Sequence, residues 1–191
     1  MENEDKKSFL EHLALPEKEL QELLIISQFN KIAKGDYFIK EGQVPRKMAF
    51  LVKGLFRYVY THENGNEFTK NIIAEGNFIS SYSAMIYNTP SYFSIEALED
   101  SEILEIEYSD WIGMKERNPF WNLFLIQILE KAFYIKEKRE RELLLLDAEK
   151  RYEIFTAEFL DVENRVSQQI IASYLGIQPE SLSRLKRKIK S

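Results

Sequence analysis

The apolar and polar positions of this chain change rhythm twice. Between residues 37 and 106 the apolar residues come in short clusters, at 37–39, 48–52, 56–61, 68–73, 93–98 and 103–106. β-Branched and aromatic side chains are common in them, and turn residues separate them. Glycines fall at 35, 42, 54, 65 and 76, at intervals of 7, 12, 11 and 11 residues. Glycine supplies the positive φ that tight turns need, and short, evenly spaced strands predict an all-β sandwich or barrel. Asn64-Gly65 is the sharpest turn signal, because a type I′ hairpin wants positive φ at both central residues. Glu99-Asp100-Ser101 marks a turn between the last two strands.

After Pro119 the period lengthens. Trp121, Leu125, Ile128, Ala132 and Ile135 step by 4, 3, 4 and 3, within one helix predicted over 120–142. That is the a/d spacing of a coiled-coil seam, and it predicts a dimer interface through these five residues. Phe124, Leu129 and Phe133 widen the apolar face towards a second neighbour. A run of leucines at 143–146 ends this helix, and Asp147 caps another, with Tyr152, Phe155 and Phe159 on one face. Near the front, Pro16 followed by Glu17, Leu20, Leu23 and Leu24 predicts a short helix.

The third rhythm is compact. Ser167 is a helix cap, Ile170, Ile171 and Leu175 form an apolar face, and Ala172 stays small where a second helix crosses. Gly176 stops the helix as a left-handed residue, and Ile177 turns back inward. Gln178-Pro179-Glu180 opens a second helix whose buried stripe is Leu182, Leu185 and Ile189. Two short helices about a glycine turn are a helix-turn-helix. Ser181, Ser183, Arg184, Arg187 and Lys188 face away from that stripe or border it. Arginine reads guanine edges bidentately, and lysine and serine suit phosphate. Five basic residues among the last eight exceed what dipole complementation needs, so double-stranded DNA is the predicted partner.

Total charge first argues the other way. The 191 residues carry 26 basic and 31 acidic side chains, a net charge of −5. The average conceals a split. Residues 165–191 hold six basic side chains against one acid, a net of +5, which leaves −10 on residues 1–164. The basic end is the one expected to touch DNA. Cysteine is absent, which removes disulfides, thiolate metal sites and thiol catalysis. His12 and His62 are the two histidines, too few and too far apart for a metal enzyme, and are expected at the surface. The longest apolar run is only residues 48–52, so no spanning helix or signal peptide is predicted, and a cytoplasmic location is expected.

Residues 32–42 (Ile-Ala-Lys-Gly-Asp-Tyr-Phe-Ile-Lys-Glu-Gly), 53–57 (Lys-Gly-Leu-Phe-Arg), 75–78 (Glu-Gly-Asn-Phe) and 172–184 together resemble the Crp/Fnr superfamily of bacterial transcription regulators. The resemblance spans nearly the whole chain, and it looks most like short members from Bacteroidetes-type bacteria. It implies an α+β fold in three parts. Residues 1–118 would be a cyclic-nucleotide-binding-like β jelly roll, 119–146 the dimerisation helix, and 147–191 the helix-turn-helix domain. It implies a non-enzymatic homodimer that binds DNA and engages RNA polymerase, with no cofactor and no membrane. By position it assigns base reading to Glu180 and Arg184, beside Ser167, Gln178, Ser181, Ser183, Arg187 and Lys188. Pro179 stands where the best-studied member has arginine, so a different operator is expected.

Two departures from the family follow. Its phosphate-binding glycine–glutamate pair reads Ser80-Ser81 here, its arginine reads Ser91, and residues 78–93 contain no lysine or arginine. Oriented N–H groups plus a cation are what a cyclic phosphate needs, so cyclic AMP and cyclic GMP are not expected as ligands. Phe78, Ser80, Ser81, Tyr82, Ser83, Ser91 and Tyr92 would line a pocket for an unknown, less charged effector, or one filled by side chains. The chain stops at Ser191, before the family's β-wing, so backbone affinity is expected to lean on Lys186, Lys188 and Lys190. The competing reading is a ligand-sensing module that acts through protein contacts.

Overall fold

The apolar run at 48–52 has a simple cause. Strand β3 (Lys47–Lys53) is buried on both faces. Ala49 and Leu51 point into the interior of a β-roll, with Phe38, Phe56, Ile79, Phe93, Ile95 and Ile103. Met48 and Phe50 point outward under a layer of helices, with Leu104, Ile106, Trp111 and Trp121. A strand covered on both sides reads as continuous hydrophobicity rather than alternation.

The structure, a computed structural model, describes residues 15–190, with the side chains of Ile189 and Lys190 excepted. His12 and the acidic start of the chain therefore lie outside the described residues, as do the side chains of Ile189 in the predicted stripe and of Lys190. Two four-stranded antiparallel sheets form the roll. One has the order β1 (Ser27–Ile32), β8 (Ser101–Glu107), β3 and β6 (Phe78–Ile79). The other runs β2 (Tyr37–Ile39), β7 (Ser94–Ala97), β4 (Leu55–Thr61) and β5 (Glu67–Ala74). Each of the six expected clusters is a strand within a residue or two of its predicted ends. β1 and β6 were not predicted. β1 reads Ser-Gln-Phe-Asn-Lys-Ile and is an edge strand, held to β8 by its backbone ladder and by a Lys31–Glu102 pair.

Arg57 shows how the sheet accepts a buried charge. It is 6% exposed, and its guanidinium donates to Glu96 on β7 and Glu67 on β5. A buried cation is tolerable when paired and hydrogen-bonded on both sides. Gly54 has φ +115°, and a Cβ there would meet Ser101 Oγ at 2.1 Å and the Ser101 backbone at 2.8 Å. Only glycine lets the chain pass from β3 to β4 at this point.

The helices are α1 (Glu17–Ile26), α2 (Tyr82–Ile86), α3 (Tyr108–Arg117), α4 (Phe120–Leu145), α5 (Ala148–Glu158), α6 (Val162–Arg165), α7 (Gln168–Leu175) and α8 (Pro179–Lys190). α1, α3 and the first half of α4 cover the outer face of the β1/β8/β3/β6 sheet. The expected α+β architecture, with a roll, a long helix and a carboxyl-terminal helical unit, is what the chain adopts.

The phase of α4 differs from expectation. Trp121 is fully buried and Leu125 is 7% exposed, both in the chain's own core, with Ile128 packed beside them. These three are spent on the roll and offer little to a partner. Ala132 and Ile135 lie further along the helix and are exposed. Leu144 and Leu145 are open at the end of α4, and before them its most exposed apolar residues are Leu123, Ile126, Phe133 and Tyr134, each about half or more open. At about 3.6 residues per turn that stripe lies roughly opposite the predicted seam.

Candidate nucleic-acid interface and effector pocket

The helix-turn-helix is built by local chemistry. Ser167 Oγ accepts the Ile170 N–H at the start of α7, and Gly176 ends it in the left-handed region at φ 67°. The Gly176 and Ile177 N–H groups close back onto Ala172 and Ser173 carbonyls. Arg151 of α5 then donates to the Leu175 carbonyl, satisfying the helix end from outside. Ile171, Ala172, Leu175 and Leu182 are fully buried against Tyr152, Phe155 and Val162.

This core continues into the β-roll through Leu55, Ile72 and Leu98. α7 lies along β5, an edge strand. Thr69 N–H donates to Ser173 Oγ at 2.8 Å, and that hydroxyl donates to the Glu67 carbonyl at 3.0 Å. A side chain here satisfies backbone groups that an edge strand would leave open. Arg165 ties the same two units. Its guanidinium donates to Glu99, to Glu75 and to the Gly54 carbonyl, and these pairs raise its already high pKa.

Of the predicted DNA-facing residues, Ser167, Gln178, Glu180, Ser183, Arg184, Arg187 and Lys188 are exposed and Ser181 is half-buried. Arg184 donates to Ser181 Oγ at 3.3 Å. Ser183 and Arg187 line a shallow groove of about 320 Å³ with Gln168, Pro179 and Lys186. Gln168 and Lys186 were not among the predicted residues. Gln168 joins them because the N-terminus of α7 lies beside α8.

The basic tail is less free than its sequence. Arg165 belongs to the interdomain contact. Lys186 is paired with Glu163, and Lys188 with Glu149 at 2.6 Å. The hydrogen bond that Lys188 donates to Glu149 raises the Lys188 pKa. Arg184 and Arg187 have no carboxylate partner among the described residues.

The seven predicted pocket residues fall into three environments. Phe78 and Tyr82 pack towards the helical core, and Ser83 and Tyr92 are exposed. Ser80, Ser81 and Ser91 are buried, and they are satisfied from within. Ser91 Oγ lies 2.8 Å from Ser81 Oγ and donates to the Phe93 carbonyl at 2.7 Å, while Ser80 N–H donates to Tyr58 OH. Phe93 stacks on Tyr58 at 5.1 Å. Burial pushes the Tyr58 phenol up to about 12, so it stays neutral. One cation reaches this cluster from outside the segment. Lys70 Nζ, on β5, lies 4.1 Å from the Phe93 ring centre and within 6 Å of the Tyr58 and Tyr60 rings. Burial, with Lys136 nearby, lowers its pKa. Sequence spacing does not reveal Lys70, because it comes from a different strand.

Among the described residues no group of three or more histidine, aspartate or glutamate side chains is placed to hold a metal. No helix there is long and apolar enough to cross a membrane.

A β-roll followed by a long helix and a helix-turn-helix defines a class, the cyclic-nucleotide-binding fold joined to a helix-turn-helix unit. The comparisons agree. The family model of the cyclic nucleotide-binding domain matches residues 29–118. FixK2 from Bradyrhizobium japonicum is similar over 86% of this chain and 85% of its own, at 17% identity and a TM-score of 0.76. CLP from Xanthomonas campestris, described as a c-di-GMP responsive global regulator, is similar over 92% of both chains at 16% identity and a TM-score of 0.73. A putative Crp/Fnr transcriptional regulator from Eubacterium rectale is similar over 93% of this chain and 84% of its own, at 15% identity and a TM-score of 0.72. No curated protein sequence matches. The fold expected from the Crp/Fnr resemblance is thus borne out: residues 29–118 match the cyclic nucleotide-binding domain model, and the chain shares these regulators' overall fold.

Proposed function

We propose that the chain is a homodimeric, sequence-specific DNA-binding transcription regulator without enzymatic activity. The observation that carries this is α8. It is the exposed second helix of a helix-turn-helix, and its two arginines, Arg184 and Arg187, are free of carboxylate partners among the described residues. Arg184 and Glu180 read bases, while Ser167, Gln178, Ser181, Ser183, Arg187 and Lys188 surround them and contact the backbone.

Leu123, Ile126, Phe133 and Tyr134 of α4 form the two-fold contact, replacing the seam through Trp121 and Leu125. Their spacing of 3, 7 and 1 keeps one apolar stripe on the side away from the roll. Residues 1–118, 119–146 and 147–191 act as sensor, dimer helix and reading head. The sensor does not take cyclic AMP: Ser81 and Ser91 bond each other, the Ser80 N–H is taken by the Tyr58 hydroxyl, and Phe93 stacks on Tyr58 beside them. Selection from a random duplex library with the purified chain tests the reading. It is expected to return a pseudo-palindrome with half-sites one helical turn apart. A pool with no enriched motif would refute it.

A further inference from the structure

The positive charges of the recognition helix fall into two kinds. Arg184 and Arg187 carry no carboxylate partner among the described residues, whereas Lys186 and Lys188 are matched by acids from two other helices. Glu163 of α6 holds Lys186 and is itself positioned by the Tyr152 hydroxyl, which donates to it at 2.9 Å. Lys186 also lies over the Tyr152 ring. Glu149 holds Lys188 from the first turn of α5, where the helix dipole favours an acid. The Lys188–Glu149 pair is at the surface, with side chains 66% and 37% exposed, and the Lys186–Glu163 pair is half-buried, at 19% and 32%, so an approaching phosphate reaches Lys188 directly and Lys186 once it swings away from its acid.

We propose that Glu149 and Glu163 are specificity-determining residues, internal counter-ions that hold back sequence-independent binding to DNA. The inference rests on the DNA-binding reading above. Sequence-independent affinity comes from lysines and arginines that neutralise phosphates and release their condensed cations. A lysine already neutralised by a fixed carboxylate contributes little to that exchange. To reach a phosphate it must leave the acid, and the acid is then left beside the phosphate chain and repelled by it. Base-edge hydrogen bonds from free arginines escape this penalty. The arrangement therefore lowers binding to arbitrary duplex more than binding to an operator.

The test uses the full chain as wild type, as E149Q/E163Q, and as E153Q. Glu153 sits on the same helix as Glu149 but pairs with Lys150, away from the recognition helix, so E153Q controls for the loss of an acid that holds no recognition-helix lysine. Glutamine keeps an acceptor for the Tyr152 hydroxyl, and circular dichroism checks that each variant is folded. Fluorescence anisotropy follows binding to a labelled duplex of arbitrary sequence and to a library-selected duplex, between about 50 and 200 mM salt. The double variant should steepen the slope of log K against log salt by roughly 1.8 per protomer, from two freed lysines at ~0.9 each. Its preference for the selected duplex over the arbitrary one should fall severalfold, with E153Q close to wild type. A slope equal to that of wild type or of E153Q overturns the proposal, as does an equal gain on both duplexes. If wild type binds neither duplex at low salt, the DNA-binding reading itself fails and the inference falls with it.

Discussion

Replacing Arg165 with methionine removes the guanidinium that joins the helix-turn-helix to the β-roll and keeps its aliphatic stem. The lost bonds are two to Glu99, two to Glu75 and one to the Gly54 carbonyl. Hydrogen bonds to charged groups contribute ~1.5–3 kcal/mol when well buried, and exposed ion pairs only ~0.2–1 kcal/mol. Arg165, Glu75 and Glu99 keep 26%, 38% and 31% of their side-chain surface, so solvent screening places the total between these limits. About 1–2 kcal/mol is expected, roughly a 5–30-fold change in the docking equilibrium. The Thr69 amide reports it, because its N–H donates to Ser173 Oγ across the same interface. Native-state hydrogen exchange at Thr69 should speed up by that factor in R165M, while the amide of Leu104, deep in the other sheet, should not change. A folded R165M with unchanged Thr69 exchange would refute the latch.

Acid should loosen the same contact. Burial pulls the Glu75 pKa upward, but hydrogen bonds from Arg165 and the Gly54 N–H outweigh it, and the net is below the ordinary 4.5. A lowered carboxylate pKa stabilises fully above 4.5, and the contribution is lost as pH falls through the folded value. Thr69 exchange in wild type should therefore gain an acid-dependent component only below that pH. R165M should lack it.

Three further outcomes are expected. Arg184→Ala should weaken binding to the selected duplex by roughly 1–3 kcal/mol in an anisotropy titration and relax the preference at one base position, and an unchanged profile would remove Arg184 from base reading. I126E/F133E should sediment as a folded monomer where wild type sediments as a dimer, and a persisting dimer would place the two-fold contact elsewhere. Calorimetry with cyclic AMP should show no binding heat, and micromolar affinity would mean that the Ser80, Ser81 and Ser91 cluster opens for a ligand.

What was legible in the sequence was whatever neighbours decide. The helix-turn-helix is specified by a cap, a small residue and a left-handed glycine within ten positions, from Ser167 to Gly176. The glycine-bounded strands are local in the same sense. β1 was not legible, because an edge strand needs little apolar content when its backbone pairs with β8. The period of α4 was readable but its phase was not. Apolar residues run round the helix, and only the fold shows that Trp121 and Leu125 are taken by the roll. Charge pairing was the least visible feature. Lys186 meets Glu163, Lys188 meets Glu149, and Arg165 meets acids 66 and 90 residues away. A count of basic residues at one end cannot show which of them are already matched.

Hydroxyl-radical footprinting of the full chain on its library-selected duplex tests the central claim most directly. Two identical reading heads on one two-fold axis should give two equal protected zones, centred about 10 base pairs apart and related by symmetry. A single protected zone, or none at concentrations where the protein is dimeric, would contradict the account.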